Sequence, residues 1–348
     1  MKNFRVFTTV KTKRIISGFE IKNLGMILLL LLMLPYPITF FCGNLNRQSD
    51  KSISAVWEAG LTESEYQIIN RTELGEERIP LELYVADKLS AVMTGEEETE
   101  ALKAQAVLIR TELVRRMRQV NQKENTKENE KEIEVKDNLY GREEIPKEIY
   151  EAVAETAGQC IVYEDVPIIG AYFELSSGMT RTGEEAGVSN VPYLKSVACG
   201  KDYLAENYSS ISRWTVEEFE KLWLALPGQN QTKEQNVFQK QDMTGNNMVA
   251  ESNALNEFVY TRDNAGYVLY IEYEGKNVSG EEFKEMFGLD SACFTISKKG
   301  NNYLIKTKGI GHGLGMSLHA AKLLAAEGKT YIEILKYFFQ DVTIVKIE

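Results

Sequence analysis

Histidine is almost missing from this 348-residue chain: His312 and His319 are its two examples, and cysteine occurs only four times. That scarcity excludes a dense disulfide scaffold, a multi-histidine metal centre and a haem attachment motif. No Cys pair or Cys/His pair has zinc-ligand spacing, and nothing in the sequence asks for a metal or a cofactor. Cys160, Cys199 and Cys293 form an odd-numbered set in the main body. They allow one disulfide plus a free thiol, or three reduced thiols, and small buried apolar side chains are the favoured reading. Basic residues are also in deficit, 40 Lys and Arg against 51 Asp and Glu, for a net charge of −11. Seven of the basic residues but only two of the acidic ones lie in the first 50 positions, leaving 33 against 49 beyond. A body that acidic is a poor partner for nucleic acid, whose affinity comes mostly from Lys and Arg on phosphates. What the chain has is apolar content, 43%, with 10% aromatic residues. That supplies a sizeable core and excludes collagen, a coiled coil and global disorder. The length holds one large domain or two ordinary ones.

Residues 1–25 are basic and lead into an apolar run, Met26 to Cys42, of 17 residues without a charge. Such a run is near the lower limit for spanning a bilayer. The cationic flank puts residues 1–25 in the cytoplasm and the remainder outside. A cleaved signal peptide has the same order of charges. Its cleavage site wants small residues where Phe40-Phe41-Cys42 are bulky, so residues 26–42 read as an uncleaved, single-pass anchor in the cell membrane. Either way the body is extracytoplasmic. Residues 43–78, polar and mixed, read as a membrane-proximal stalk.

From 79 to 348 the pattern predicts one α+β domain: an amphipathic helix near its start, antiparallel strands and polar insertions. Leu102, Ala106, Ile109, Leu113 and Met117 recur at three- and four-residue steps as the buried stripe of a helix beginning near Glu96. Glu96, Glu97 and Glu98 crowd its first turn, where the helix dipole favours negative charge. Residues 118–137 are charged without an apolar period and 227–257 are rich in Gln and Asn, so both read as solvated insertions. A short helix with Ile149, Val153 and Thr156 on one face ends at Gly158. CIVYEDVPIIGAYFEL then reads as two strands about a turn at Glu164-Asp165.

Three segments are too particular to be generic. The first joins Tyr84-Val85 to the run EALKAQAV from Glu100 and to Arg110-Thr111. The second is Ser176-Ser177-Gly178-Met179-Thr180-Arg181 with Val191-Pro192-Tyr193-Leu194. The third is Gly309-Ile310-Gly311-His312-Gly313-Leu314-Gly315-Met316-Ser317. In this order they resemble the stage II sporulation protein D family, the SpoIID/LytB domain, over roughly residues 78–348 apart from the insertions. The resemblance implies action on bacterial peptidoglycan: characterised members are lytic transglycosylases that cut glycan strands stripped of stem peptides. That reaction needs one carboxyl group, which protonates the glycosidic oxygen and then takes the proton of the attacking 6-hydroxyl. The implied partners are glycan strands, the membrane and other envelope proteins of sporulation.

Here the sequence departs from the family. The family's catalytic glutamate lies eight residues after the tyrosine of the Tyr-Val pair and eight before the glutamate of EALKAQ. Counted from Tyr84 and from Glu100, that position is Val92. Valine carries no proton, so the resemblance implies a glycan binder with impaired catalysis. Glu96 and Glu174 are the carboxylates that could stand in. Reuse of the fold for protein–protein contact alone, through the polar insertions, is the third reading. Ser176, Ser177 and Gly178 resemble the family's groove segment, and His312, Gly313 and Ser317 of the glycine-framed run complete the expected glycan-binding set. Positions 318–320 drift from the family's usual Gln-Tyr-Gly to Leu318-His319-Ala320, and His319 is given no role. Arg110 is expected in a structural ion pair.

Overall fold

The computed structural model describes Leu61 and residues 64–72, 75–124, 131–135, 145–228, 250–251 and 258–347. The basic segment 1–25, the apolar run 26–42, the stalk before residue 61 and most of the 227–257 insertion lie outside these. The chain divides into two units between Val56 and Trp57, and the fold below belongs to the second. Among the described residues no helix is long and apolar enough to cross a membrane. They form an α+β fold of seven helices and small, mostly antiparallel sheets.

The structured chain begins earlier than the sequence suggests. Strands β1 (Gln67–Thr72) and β2 (Gly75–Pro80) form a hairpin within the expected stalk, and their partnered Ile68 and Ile79 are fully buried. Helix α1 (Leu81–Ser90) follows at once, with Pro80 fixing the backbone at its cap. Helix α2 (Thr99–Glu124) runs through the first part of the expected insertion. Strand β3 (Glu132–Val135), from the same charged run, pairs parallel with β1. Its four residues alternate charged and apolar, with Ile133 turned inward and Glu132 and Glu134 held by Arg78 and Arg71. A period of two over so short a stretch is hidden inside a charge run.

Helix α2 is the axis of the larger core. Its five stripe residues are all buried, and so is nearly every other position from Ala101 to Thr111. Helix α1, α3 (Lys147–Glu155), α6 (Leu318–Ala326), α7 (Tyr331–Phe338) and strand β4 (Gln159–Tyr163) surround it. A helix covered on every side must satisfy its polar side chains internally. Arg110 does so through a forked pair with buried Glu82, at 2.6–3.0 Å, and through the carbonyls of Val153 and Gln159. The Thr111 hydroxyl donates to Val107 O and accepts from Ile161 N. Strand β4 turns into β5 (Val166–Pro167) at Glu164-Asp165, both with positive φ, and its other edge takes β15 (Thr343–Lys346).

The smaller core is aromatic. Strand β7 (Ser209–Thr215) leads through a Thr215–Glu218 capping box into α4 (Val216–Ala225). The chain continues with β8 (Ala250–Glu251), β9 (Phe258–Arg262), β10 (Val268–Tyr273), β11 (Lys276–Ser279) and α5 (Gly280–Phe287), then β12 (Phe294–Lys299) and β13 (Asn302–Lys308). The sheets are ordered β11-β10-β9-β8 and β12-β13-β7. Phe219 is their hub, with ring centroids of Tyr303, Phe287, Phe258, Tyr273 and Phe283 between 4.3 and 6.2 Å away.

Candidate functional site

The glycine-framed run is zipped onto the strand segment that precedes the serines. Strand β6 (Tyr172–Phe173) pairs parallel with β14 (Met316–Ser317), and Leu175 and Ile310 exchange backbone hydrogen bonds. Such closeness leaves no room for a Cβ. At Gly315 (φ +82°) it would lie 2.1 Å from Ala171 O, and at Gly313 (φ +76°) 2.5 Å from the Tyr267 ring. The glycines therefore serve the packing of backbone on backbone, and they raise His312 at the surface. Arg181 locks the loop beneath: it pairs with buried Asp263 at 2.6 Å, donates to His312 O and lies 4.9 Å from the Tyr267 ring centre. Burial pushes the Asp263 carboxyl up, against the opposing pull of Arg181.

The His312 ring accepts from Leu314 N at Nδ1, 3.1 Å, so the neutral ring carries its proton on Nε2, and the ring also interacts with the Tyr172 backbone. Burial lowers its pKa from the ordinary 6.5, outweighing the upward pull of Glu281. His312 separates two clefts. One, about 370 Å³, is bounded by Tyr84, Lys88, Glu112, Arg116 and Tyr172. The other, about 640 Å³, is bounded by Arg181, Glu185, Tyr270 and Glu281. The two clefts share Ala171 and His312 and have aromatic and charged walls.

Tyr84 and Lys88 stand four residues apart on α1, and Val92 is the next step on that face. The helical bonding continues past Ser90, with Met93 N donating to Leu89 O at 2.9 Å. Val92 is half-buried and packs against the larger core. Close behind it, the Glu97 carboxylate accepts from Thr94 N and Gly95 N and pairs with Lys322 of α6 at 2.9 Å. Partial burial raises the Glu97 pKa, but Lys322 and the amides outweigh it and the net shift is downward. A general acid needs the opposite shift. Glu96 is exposed, and its carboxylate takes no hydrogen bond among the described residues. Glu174 is also exposed, accepting from Asn207 Nδ2 at 3.2 Å.

The serines divide. Ser176 and Ser317 are fully buried, so neither hydroxyl reaches a ligand as the structure stands. Both face Asp202, itself fully buried, whose Oδ2 accepts from Ser176 N and Ser317 Oγ, each at 2.9 Å. Ser317 also caps α6 by accepting from Ala320 N. Ser177 is half-buried and donates to Ala265 O, while Gly178 (φ +127°) borders open space. Gly313 is buried under His312 and acts through the loop's shape.

Two residues escaped the sequence reading. Asp202 sits in a short turn of unremarkable composition, and no local signal marks it. His319 carried a signal, a histidine just inside a helix start behind a capping serine. Its Nδ1 lies 3.0 Å from Asp202 Oδ1. Arg110 stands where expected, in its ion pair with Glu82. Cys160, Cys199 and Cys293 are buried and unpaired, and burial pushes the Cys160 thiol to about 11 and Cys199 to about 12. Among the described residues no three His, Cys, Asp or Glu side chains converge as a metal site.

The family described as stage II sporulation protein matches residues 70–163. That span holds α1, Val92 and most of the larger core. The stage II sporulation protein D of Bacillus amyloliquefaciens is 33% identical over 77% of this chain and 75% of its own length. The Bacillus subtilis protein of the same name is 32% identical over the same shares. The amidase enhancer of Bacillus subtilis is 24% identical over 56% of this chain and 32% of its own length.

Proposed function

The chain belongs to the stage II sporulation protein D family, and from that premise we propose that it binds the glycan strands of peptidoglycan during sporulation, with its catalysis impaired at Val92. Residues 26–42 anchor it in the cell membrane, and residues 79–348 form the wall-facing domain beyond the stalk. The strand lies over His312 in a trough formed by the two clefts, with Tyr84, Tyr172 and Lys88 lining one arm. Gly178, open on its outer side, is a further contact point.

The observation that carries this reading is Val92 itself. It follows Tyr84 and Lys88 at four-residue steps, half-buried against the larger core, in the position where the resemblance expects the proton-carrying glutamate. The supports of a groove are present and the family's acid is not. The carboxylates nominated from sequence do not repair the loss: Glu96 takes no partner to orient it, and Glu174 is an exposed acceptor for Asn207. Glu97, the nearest, is fastened to Lys322 and held ionised.

The test uses the full-length chain in detergent, incubated with purified glycan strands lacking stem peptides. The chain is expected to pellet with the strands, and Val92→Glu to raise the yield of 1,6-anhydro ends by about 10²–10⁴-fold, the usual worth of a positioned acid–base group. A chain that pellets with no glycan preparation removes the binding reading. A folded Val92→Glu variant that cleaves no faster than the wild type removes the impairment.

A further inference from the structure

The pair Asp202–His319 is the most heavily built feature that the groove reading leaves unused. Asp202 is fully buried, and its carboxylate has three partners: Ser176 N, Ser317 Oγ and His319 Nδ1. Among the described residues the imidazole is its one ion-pair partner, since neighbouring Lys201 pairs with Glu327. Asp202 Oδ1 faces Nδ1, which leaves Nε2 as the ring nitrogen turned away from the carboxylate. Nε2 has no protein partner among the described residues, and 28% of the side chain is exposed. The backbone ties the ring further, with His319 N donating to Glu174 O at 3.1 Å.

Through α6 this pair is linked to the segment where an acid is missing. One turn along α6 from His319, Lys322 reaches Glu97, whose carboxylate caps Thr94 and Gly95 just past Val92. On its other side stand Glu174 and Asn207. Only a buried acceptor facing one ring nitrogen fixes an imidazole so firmly while leaving the other nitrogen free to carry a proton.

We propose that His319, held by Asp202, is the proton carrier of a slow residual glycan cleavage in this chain. The proposal rests on the glycan-strand reading above. In the step, protonated Nε2 gives its proton to the glycosidic oxygen as the bond from that oxygen to C1 breaks. The 6-hydroxyl oxygen of the same sugar bonds to C1, and its proton passes to Nε2. The products are a 1,6-anhydro end and a free 4-hydroxyl end, with no water consumed and the imidazole returned to its starting state. His319 is the catalytic residue of this step, and Asp202 the positioning residue behind it.

The experiment counts 1,6-anhydro ends by mass spectrometry and pelleted protein in the same tubes, for the full-length wild type, His319→Gln, Glu96→Gln and Glu174→Gln. The expected result is slow production of ends by the wild type, a loss of at least tenfold in His319→Gln with pelleting unchanged, and unchanged production in the two glutamate variants. If His319→Gln does not fold, His319→Asn, whose amide still donates to Asp202, takes its place. Ends that persist in a folded histidine variant overturn the proposal, as does their loss in Glu96→Gln or Glu174→Gln. A wild type that pellets but makes no ends also overturns it, while leaving the binding reading in place. A wild type that does not pellet overturns the binding reading itself.

Discussion

Around α2 the core is aliphatic, built from Ala, Leu, Val and Ile, and among its polar groups Arg110 is answered by Glu82 and Thr111 by Ile161 N, while the Gln105 amide is buried without a partner. Around Phe219 the core is made of rings, with Trp223, Phe258, Tyr273, Phe283, Phe287 and Tyr303 interlocked and no charged side chain among its buried members. The helical core is thus specified by a few directional bonds inside an otherwise interchangeable filling. The aromatic core is specified by the shapes of large flat groups. The two should fail differently when a single residue is changed.

The largest expected effect is Arg110→Ala. It leaves the Glu82 carboxylate buried with Gly158 N as its remaining partner, and such losses cost about 3–5 kcal/mol. Urea unfolding of the variant, followed by far-UV circular dichroism and by the fluorescence of Trp214 and Trp223, also tests how separate the cores are. Coincident transitions would mean one cooperative unit, and a helical signal lost first would mean two. Phe219→Leu is expected to cost less, about 1–2 kcal/mol, because neighbouring rings can close part of the space. A loss as large as that of Arg110→Ala would erase the contrast drawn between the cores.

The smallest effect concerns His312, on the loop between the two. Its folded pKa lies below 6.5, so in the window just under that value the unfolded chain binds more protons than the folded one. Stability therefore falls as the pH drops through that window and is regained as it rises. Unfolding midpoints at pH 7 and pH 5.5 should differ in that direction, and His312→Gln should reduce the difference. A midpoint difference untouched by His312→Gln would assign the slope to other groups.

The two cores also differ in how far they could be read from sequence. The stripe on α2, the Glu164-Asp165 turn and the ion pair of Arg110 were all legible, because each is a local pattern or a strong residue preference, whereas α3 stops at Glu155, three residues before the expected end at Gly158. What was missed depends on distant partners. Nothing near Tyr172 says that it will lie parallel to Met316, and nothing near Asp202 says that Ser176, Ser317 and His319 will converge on it. The serines looked like a ligand segment because hydroxyls suit sugars, yet two of them face an internal carboxylate. The space beside Gly315 is taken by the Ala171 backbone and that beside Gly313 by the Tyr267 ring, neither of which a local pattern announces.

The pairing of β15 with β4, together with the bond from Tyr331 N to Glu100, joins the latest-made described segments to the earliest-made core. Ribosomes extend a chain at about 5–20 residues per second, so roughly 10–40 seconds separate the completion of α2 from the arrival of α7 and β15. Throughout that interval one flank of the helix at the centre of the larger core has no cover of its own. A chain of this design leaves the ribosome with its central element only half clothed, and its yield in a cell is set by whatever shields that flank until the last strand is laid down.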